Sequence, residues 1–154
     1  MKSWFAAAAL TLAALAAFCG PAQAQGLSKG QSVYVPIYSH IYHGNKGKTM
    51  NLTVTLSVHN IDPARGITLN KVDYYGTDGK LVRGFLEAPV TLAPFETREF
   101  LVDEEDDAGG SGANCLVTWS AEEAANPPIV ESVMIGARSG QGISFLSQGR
   151  VIHQ

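Results

Sequence analysis

The sequence predicts an all-β domain, a single antiparallel β-sandwich that follows an N-terminal signal helix. Three observations support this fold class. Apolar and polar residues alternate along most of the chain after residue 31, the alternating segments are short, and Gly, Pro, Asn and Asp separate them. No amphipathic pattern reaches the length of an ordinary helix, and residues 121–125 are compatible with one helical turn at most.

The first 24 residues have the order of a secretory signal peptide. Lys2 gives a positive start, residues 4–18 form an apolar run, and Ala22-Gln23-Ala24 is a small-x-small cleavage site. The run is shorter than the roughly 20 residues that a membrane-spanning helix needs, and no second apolar stretch follows. We therefore expect cleavage after Ala24 and a periplasmic or secreted protein with no transmembrane segment.

Cys19 supports an alternative in which the leader is a lipoprotein signal and this cysteine carries a lipid anchor. The peptidase that processes such leaders usually requires a small residue before the cysteine, because its pocket is narrow there. Phe18 occupies that position. The sequence therefore favours a soluble exported protein over a lipid-anchored one.

Cleavage leaves 130 residues, a size that suits one domain with one core. The formal charge changes from −3 to −4, because Lys2 is the one charged residue removed. No basic patch stands out, which argues against nucleic acid or an anionic membrane as partner. Cys115 is the one cysteine left, so no intramolecular disulfide can form, and its apolar neighbours favour a buried thiol.

The domain is predicted over residues 32–154, after a polar leader at residues 25–31. The clearest strand covers residues 51–59, where apolar side chains alternate with polar ones, as in a sheet with one face in the core and one in water. Many short strands in a chain of this size predict a sandwich, immunoglobulin-like or related. The other strands are predicted at residues 32–43, 67–75, 80–86, 89–93, 97–103, 114–120, 129–137 and 143–152.

Turn residues separate these strands. Residues 60–63 (Asn-Ile-Asp-Pro) end one strand, residues 76–79 (Gly-Thr-Asp-Gly) predict a hairpin loop, and residues 92–97 predict a tight crossing between two strands. Residues 139–142, with two glycines, predict the last turn.

Five consecutive acidic residues at 103–107 precede a glycine-rich stretch at 108–112. Like charges repel and glycine adds backbone freedom, so we expect an exposed, mobile loop. The alternative is a calcium site, since carboxylate oxygens suit a hard cation. The loop lacks the alternating Asp-x-Asp-x-Asp-Gly pattern, and a solvated charge run is the preferred interpretation.

The first predicted strand carries an unusual row of aromatic side chains. If this strand is extended, Val33, Val35, Ile37 and Ile41 face the core. Rings with polar tips on the other face suit recognition of a partner or ligand, because they supply contact area at little entropic cost. The alternative is that another part of the fold covers them. The residues of this row are Tyr34, Tyr38, His40 and Tyr42.

Histidines suggest a second hypothesis, a copper or zinc site. His40 and His43 point to opposite faces of a strand, so His59, on the polar face of a neighbouring strand, is the better companion for His40. Soft ligands for copper are also present, namely Met50, Met134 and Cys115. No Cys/His spacing motif fixes such a site.

Signals for catalysis are weak. The chain has no Gly-x-Ser-x-Gly motif and no glycine-rich loop that leads into a helix. Cys115 with a distant histidine is the one conceivable pair of nucleophile and base. We therefore expect a protein that is not an enzyme.

Four segments of the chain, residues 33–42, 72–75, 109–114 and 141–145, resemble signature strings of an uncharacterised bacterial family, the domain of unknown function three-one-two-four. The resemblance implies a small exported bacterial protein, lipid-anchored in some members. It brings no activity, substrate or catalytic residue. It does imply that the Tyr/His strand and the glycine-serine loop are motif positions, which favours Tyr38, His40, Tyr42 and residues 111–114 as site candidates.

The expected function is therefore an exported periplasmic binding or interaction module. An envelope protein or a small ligand would bind it. The alternative is a periplasmic copper- or zinc-binding protein that uses His40 and His59. The candidate binding residues are Tyr34, Tyr38, His40, Tyr42, Ser111 and Asn114.

Overall fold

The computed structural model describes residues 26–138 and 141–152. The predicted signal peptide with Cys19, the cleavage site and part of the predicted turn at residues 139–142 lie outside these residues. The described chain consists of strands, turns and loops, and it contains no helix that is long and apolar enough to cross a membrane.

Strands are labelled in chain order. They are β1 Ser28–Pro36, β2 His40–His43, β3 Lys48–Asn51, β4 Thr53–His59, β5 Ile67–Tyr75, β6 Leu81–Gly84, β7 Val90–Leu92, β8 Thr97–Val102, β9 Asn114–Ala125, β10 Ile129–Arg138, β11 Gln141–Gln148 and β12 Arg150–Ile152.

These strands form two main sheets and one separate hairpin. The larger sheet has the order β12-β1-β9-β5-β6, and β7 also pairs with β5. The smaller sheet has the order β11-β10-β4-β8, and β2 pairs with β3 in the hairpin. Every pairing between the described strands is antiparallel. The predicted all-β antiparallel sandwich is confirmed.

A single core lies between the two sheets. Its largest side chains are Trp119 of β9 and Tyr74 of β5 from the larger sheet, with Leu56 of β4 and Met134 of β10 from the smaller sheet. They face inward because alternate residues of a strand lie on the same face. Burial of each large apolar side chain contributes about 1.5–3 kcal/mol. Cys115 lies in the same core, so its predicted burial is confirmed.

The first predicted strand, residues 32–43, is two strands. β1 ends at Pro36, which has no N–H to donate to a neighbouring strand, and β2 begins only at His40. β1 also starts earlier than predicted, so that Ser28 to Gln31 of the expected polar leader pair with β9. The sequence pattern missed this pairing because those four residues are mostly polar.

Two further predictions are wrong. Residues 121–125 are not a helical turn, because β9 continues to Ala125, which is buried and pairs with Ser28. The last predicted strand, residues 143–152, divides at Gly149 into β11 of the smaller sheet and β12 of the larger one. A Cβ at Gly149 would lie 2.6 Å from a Val33 methyl group. The crossing of the chain from the smaller sheet to the larger one therefore requires glycine at this position. The hairpin strand β3 was not predicted.

The predicted turn at residues 60–63 closes one end of the sandwich through two buried polar side chains. The amide nitrogen of Asn60 donates to the carbonyl oxygens of Arg65, Leu92 and Ala93. The Asp62 carboxylate accepts hydrogen bonds from the backbone N–H groups of Asn126, Ala64 and Arg65. These bonds favour the ionised carboxylate, and they lower the pKa of Asp62 to about 2. The two side chains connect segments that are distant in sequence.

The lowered pKa of Asp62 predicts a specific acid sensitivity. Because the folded-state pKa lies below the ordinary value, the carboxylate stabilises the fold above about pH 4, and this contribution is lost as the pH falls towards about 2. We expect Asp62→Asn to lower the thermal unfolding midpoint at pH 7 by about 5–10 °C and to flatten its decrease between pH 4 and 2. Thermal unfolding followed by circular dichroism across this pH range measures both effects.

Glu105→Gln is the matched control, because Glu105 is an exposed carboxylate. Its unfolding midpoint should follow the parent protein at every pH. A parent-like pH curve for Asp62→Asn would contradict the prediction.

Candidate functional site

Three segments meet at the end of the sandwich opposite Asn60 and Asp62, and we call this region the loop end. It comprises the β2–β3 hairpin, the turn at residues 76–79 and the segment 103–113. The fully buried Ser39 directly precedes the hairpin and connects it to the segment 103–113. Its N–H donates to the carbonyl oxygen of Gly110 at 3.1 Å, its hydroxyl oxygen accepts from the N–H of Gly110 at 2.8 Å, and its carbonyl accepts from the N–H of Leu52 at 2.9 Å.

Thr77 holds the glycine-rich segment from the other side. Its N–H and its hydroxyl both donate to the carbonyl oxygen of Gly109, at 2.8 and 3.0 Å. The same hydroxyl oxygen accepts from the N–H of Gly112 at 2.9 Å. Gly110 has φ +85°, and a Cβ there would lie 2.6 Å from the Thr77 hydroxyl, so both its conformation and its surroundings require glycine. The segment is therefore clamped between Ser39 and Thr77.

The buried Tyr74 of β5 lies beneath Gly109. Its hydroxyl has no hydrogen bond of normal geometry, although the Ser39 side chain faces it, and burial raises the pKa of Tyr74. The guanidinium of Arg83 lies 5.2 Å from the centre of the Tyr74 ring and forms an ion pair with Asp106. The predicted acidic loop is thus exposed at its other four acidic residues, while Asp106 is half-buried and tethered.

The hairpin presents a polar and aromatic face. His40 is in register with Asn51, and Tyr42 is in register with Thr49, so these four side chains share one face. The rings of His40 and Tyr42 meet edge to face, with 5.5 Å between their centres. Tyr42 is 63% exposed. Its ring is therefore available for contact with a partner.

A shallow cleft of about 440 Å³ lies beside this face, and we call it the hairpin cleft. The side-chain amide of Asn51 donates to the carbonyl oxygen of Glu104 at 3.0 Å, which connects β3 to the acidic loop across the cleft. The lining includes two exposed glutamates and one methionine, residue types that suit a ligand group that is positively charged and partly apolar. Its lining residues are Thr49, Met50, Asn51, Glu104 and Glu105.

The structure divides the predicted Tyr/His row. Strand pairing is interrupted between Pro36 and His40, although every second residue stays buried across the interruption, at Val35, Ile37 and Ser39. Tyr34 lies on the outer face of the larger sheet, 39% exposed, in register with Leu116 and Arg150. Tyr38 is half-buried against the core, 6.3 Å from the ring centre of Phe145. Only His40 and Tyr42 of the row share a face.

The predicted glycine-serine loop joins them. Ser111 is half-buried within the clamped segment, and Asn114 begins β9 in register with Pro36 and Tyr75. Sequence reasoning missed Ser39 and Thr77, which position this segment. A signal for Ser39 was present, because it is the polar residue at an inward position of the alternation that Val33, Val35, Ile37 and Ile41 define.

The structure does not bring His40 and His59 together. Ser39 is bonded to Leu52, and His59 lies seven residues further along an extended chain, roughly 20 Å away. His59 instead bonds to Thr97, with 2.9 Å between Nδ1 and Oγ1, and its Nε2 lies 3.8 Å from a carboxylate oxygen of Glu131. Within residues 26–138 and 141–152, no group of three or more His, Cys, Asp or Glu side chains is placed to hold a metal ion.

The other proposed copper ligands are also dispersed. Met134 and Cys115 are fully buried in the core, whereas Met50 lines the hairpin cleft. Burial, and secondarily the Asp73 carboxylate, raises the pKa of the Cys115 thiol far above its ordinary value. The thiol is therefore unsuited to act as a nucleophile or as a ligand for a metal from solvent.

The sequence model of a family described as "Protein of unknown function (DUF3124)" matches residues 30–152. The chain belongs to this family. The match covers both sheets and the loop end of the DUF3124 domain, and the family description assigns no ligand and no reaction. The resemblance predicted from the four sequence segments is confirmed.

A search of curated proteins finds no match. One solved structure, entitled "Crystal Structure of Thermotoga maritima 1070", is similar to the DUF3124 domain with a TM-score of 0.47 and 8% sequence identity. The similarity covers 78% of this chain and 92% of that one. A likeness of this degree carries no information on function.

The contact between Tyr74 and Gly109 predicts a pair of coupled substitutions. A Cβ at Gly109 would lie 1.9 Å from the Tyr74 hydroxyl oxygen, so we expect Gly109→Ala to destabilise the protein by about 3 kcal/mol. Tyr74→Phe alone should change stability by less than about 1 kcal/mol, because the hydroxyl has no hydrogen-bond partner of normal geometry. Urea unfolding of the two single variants measures these effects.

The double variant tests whether the two residues are coupled. Removal of the hydroxyl should recover part of the loss, while the ring carbon at 2.5 Å and the Ala113 Cβ at 2.8 Å keep the recovery incomplete. Strictly additive effects of the two substitutions would contradict the predicted contact.

Proposed function

We propose that this protein is an exported, non-enzymatic binding module that works in the periplasm or outside the cell and binds a partner at the loop end. The observation that carries this proposal is the hairpin cleft, which lies beside the exposed Tyr42 on a hydrogen-bonded frame. The partner we propose is an envelope protein that offers a positively charged segment.

The frame beneath the cleft favours binding because it is already ordered. Ser39 and Thr77 fix the glycine-rich segment, and Asn51 fixes the acidic loop against β3. A surface whose loops are held before the partner arrives loses less conformational entropy on association. Hydrogen bonds between backbone groups and the side chains of Ser39, Thr77 and Asn51 supply that order here.

The charges around the cleft indicate the chemistry of the partner. Glu104 and Glu105 are exposed and give the cleft a negative charge, and Tyr42 offers an aromatic face for an ammonium or guanidinium group. Removal of residues 1–24 would leave a net charge of −4, which would attract a basic segment over longer distances. Lysine or arginine side chains on the partner match both features.

Binding is favoured over catalysis by the position of the one cysteine in the domain. Cys115 is fully buried among core side chains, so its thiol cannot reach a substrate at the surface. Export is supported by the leader, whose order of positive, apolar and small residues is that of a cleaved signal.

The N-terminus of the purified protein tests export. Full-length chain expressed in a Gram-negative host should be recovered from the periplasmic fraction with Gln25 as its first residue, read from its intact mass. Phe18 before Cys19 predicts that no acylated form is present. A cytoplasmic chain that retains residues 1–24, or a chain that begins with a lipid-modified Cys19, would contradict this part of the proposal.

Capture of partners from envelope extract tests the binding surface. Tyr42→Ala should weaken capture of a specific partner about tenfold, since an exposed aromatic ring at the centre of an interface commonly carries at least this much affinity. The double variant Glu104→Gln/Glu105→Gln should weaken capture as well and reduce its dependence on salt.

Tyr34→Ala is the matched control. Tyr34 is also exposed and also on a strand, but it lies on the outer face of the larger sheet, away from the loop end. Its capture should equal that of the parent protein. Equal capture by the Tyr42 and Tyr34 variants would remove the loop end as the binding surface.

A further inference from the structure

Strand β11 forms an open edge of the smaller sheet. It pairs with β10 over eight positions, from Glu131 opposite Gln148 to Arg138 opposite Gln141. On its other side, none of the described strands is paired with it. Its N–H and C=O groups on that side are therefore available to hydrogen-bond another strand.

The composition of β11 differs from that of the other edge strands. Edges are normally protected by charge, by proline or by short length. β8 carries Arg98 and Glu99, β6 carries Arg83, and β12 is three residues long with Arg150. β11 has eight residues, Gln-Gly-Ile-Ser-Phe-Leu-Ser-Gln, with no charge and no proline. This edge lacks each of the usual protections.

A row of side chains that is apolar except for Thr55 crosses the outer face of the sheet and leads to this edge. Leu146 of β11 is directly opposite Val133 of β10, which is opposite Thr55 of β4, and Thr55 is opposite Leu101 of β8. Leu146 is 51% exposed. Solvent-facing positions of a sandwich are usually polar, so aliphatic side chains that extend to an open edge indicate a contact surface.

We propose that two copies of this chain associate through β11, which pairs antiparallel with its counterpart and joins the two smaller sheets into one sheet of eight strands. A twofold axis normal to the sheet keeps the outer faces on one side. For residues of the same face to lie opposite each other, the axis must pass beside a residue and not between two residues. Hydrogen bonding over the whole strand requires an axis near its middle, at Ser144 or Phe145. The two apolar rows become neighbours across the junction.

A second copy fits this edge better than an unrelated strand for two reasons. In an isologous antiparallel contact, any charge close to the axis lies near its own counterpart, and a strand without charges suffers no such repulsion. The two strands also have equal length, so hydrogen bonding extends over the whole edge. Edge pairing buries less area than a standard interface, and we expect a dissociation constant on the order of micromolar.

Sedimentation velocity of the purified exported protein tests the proposal. Between about 1 and 200 μM, the mass should rise from that of one chain towards that of two. Ser144→Lys places two like charges close to the axis and should raise the dissociation constant at least about tenfold. Glu99→Lys places a lysine at the opposite edge, on β8 and outside this row, and should leave dimer formation unchanged.

Hydrogen exchange gives an independent measurement. The amides of β11 should exchange more slowly at high protein concentration, while those of β8 should not change. Leu146→Lys provides a second β11 variant if circular dichroism shows that Ser144→Lys does not fold. A mass of one chain at all concentrations, or a dimer that both β11 lysine variants leave intact, overturns the proposal.

Discussion

The buried Ser39 holds together the parts of the loop end. Its N–H, its carbonyl and its hydroxyl are each bonded to a different backbone group, and these groups belong to Gly110 and to Leu52. Through Gly110 it fixes the glycine-rich segment that leads into β9 of the larger sheet, and through Leu52 it fixes the start of β4 in the smaller sheet. A polar side chain at an inward position therefore connects both sheets at the point where the first strand bends. The chain achieves this connection without a disulfide.

The fold class could be predicted because alternation is a property of the chain itself. In β4, Val54, Leu56 and Val58 are buried in the core as their alternation indicates, although Ser57 between them is buried as well. The points where strands break could not be predicted in the same way. The division at Gly149 depends on the approach of Val33 and of the Val130 carbonyl, which come from other strands. Ala125 is a strand residue because Ser28 pairs with it. The helix propensity of residues 121–125 carries no information on a pairing partner so distant in sequence.

The candidate site shows the same limit at the level of single residues. Tyr34, Tyr38, His40 and Tyr42 alternate with buried or partly buried residues, as the sequence predicts, but this period does not show which other strand packs against each side chain. The bend after Pro36 places Tyr38 against Phe145 and leaves His40 and Tyr42 on a separate hairpin. The contribution of Glu104 could not be foreseen either, because it reaches the hairpin cleft through a backbone carbonyl bonded to Asn51. Sequence patterns identify side-chain chemistry, whereas the cleft depends on tertiary hydrogen bonds.

The buried hydrogen bonds of Asn60 and Asp62 and the proposed binding surface lie at opposite ends of this sandwich. Asn60 and Asp62 close one end with buried hydrogen bonds, and the loop end carries the exposed ring and carboxylates. β11 runs between these ends, so the antiparallel pairing proposed for two copies would direct their loop ends towards opposite ends of the joined sheet. One flat surface could not contact both hairpin clefts of such a dimer. Two separate partner segments could each contact one hairpin cleft. The dimer would then connect the two segments, and it would not bind either segment more tightly than one copy does.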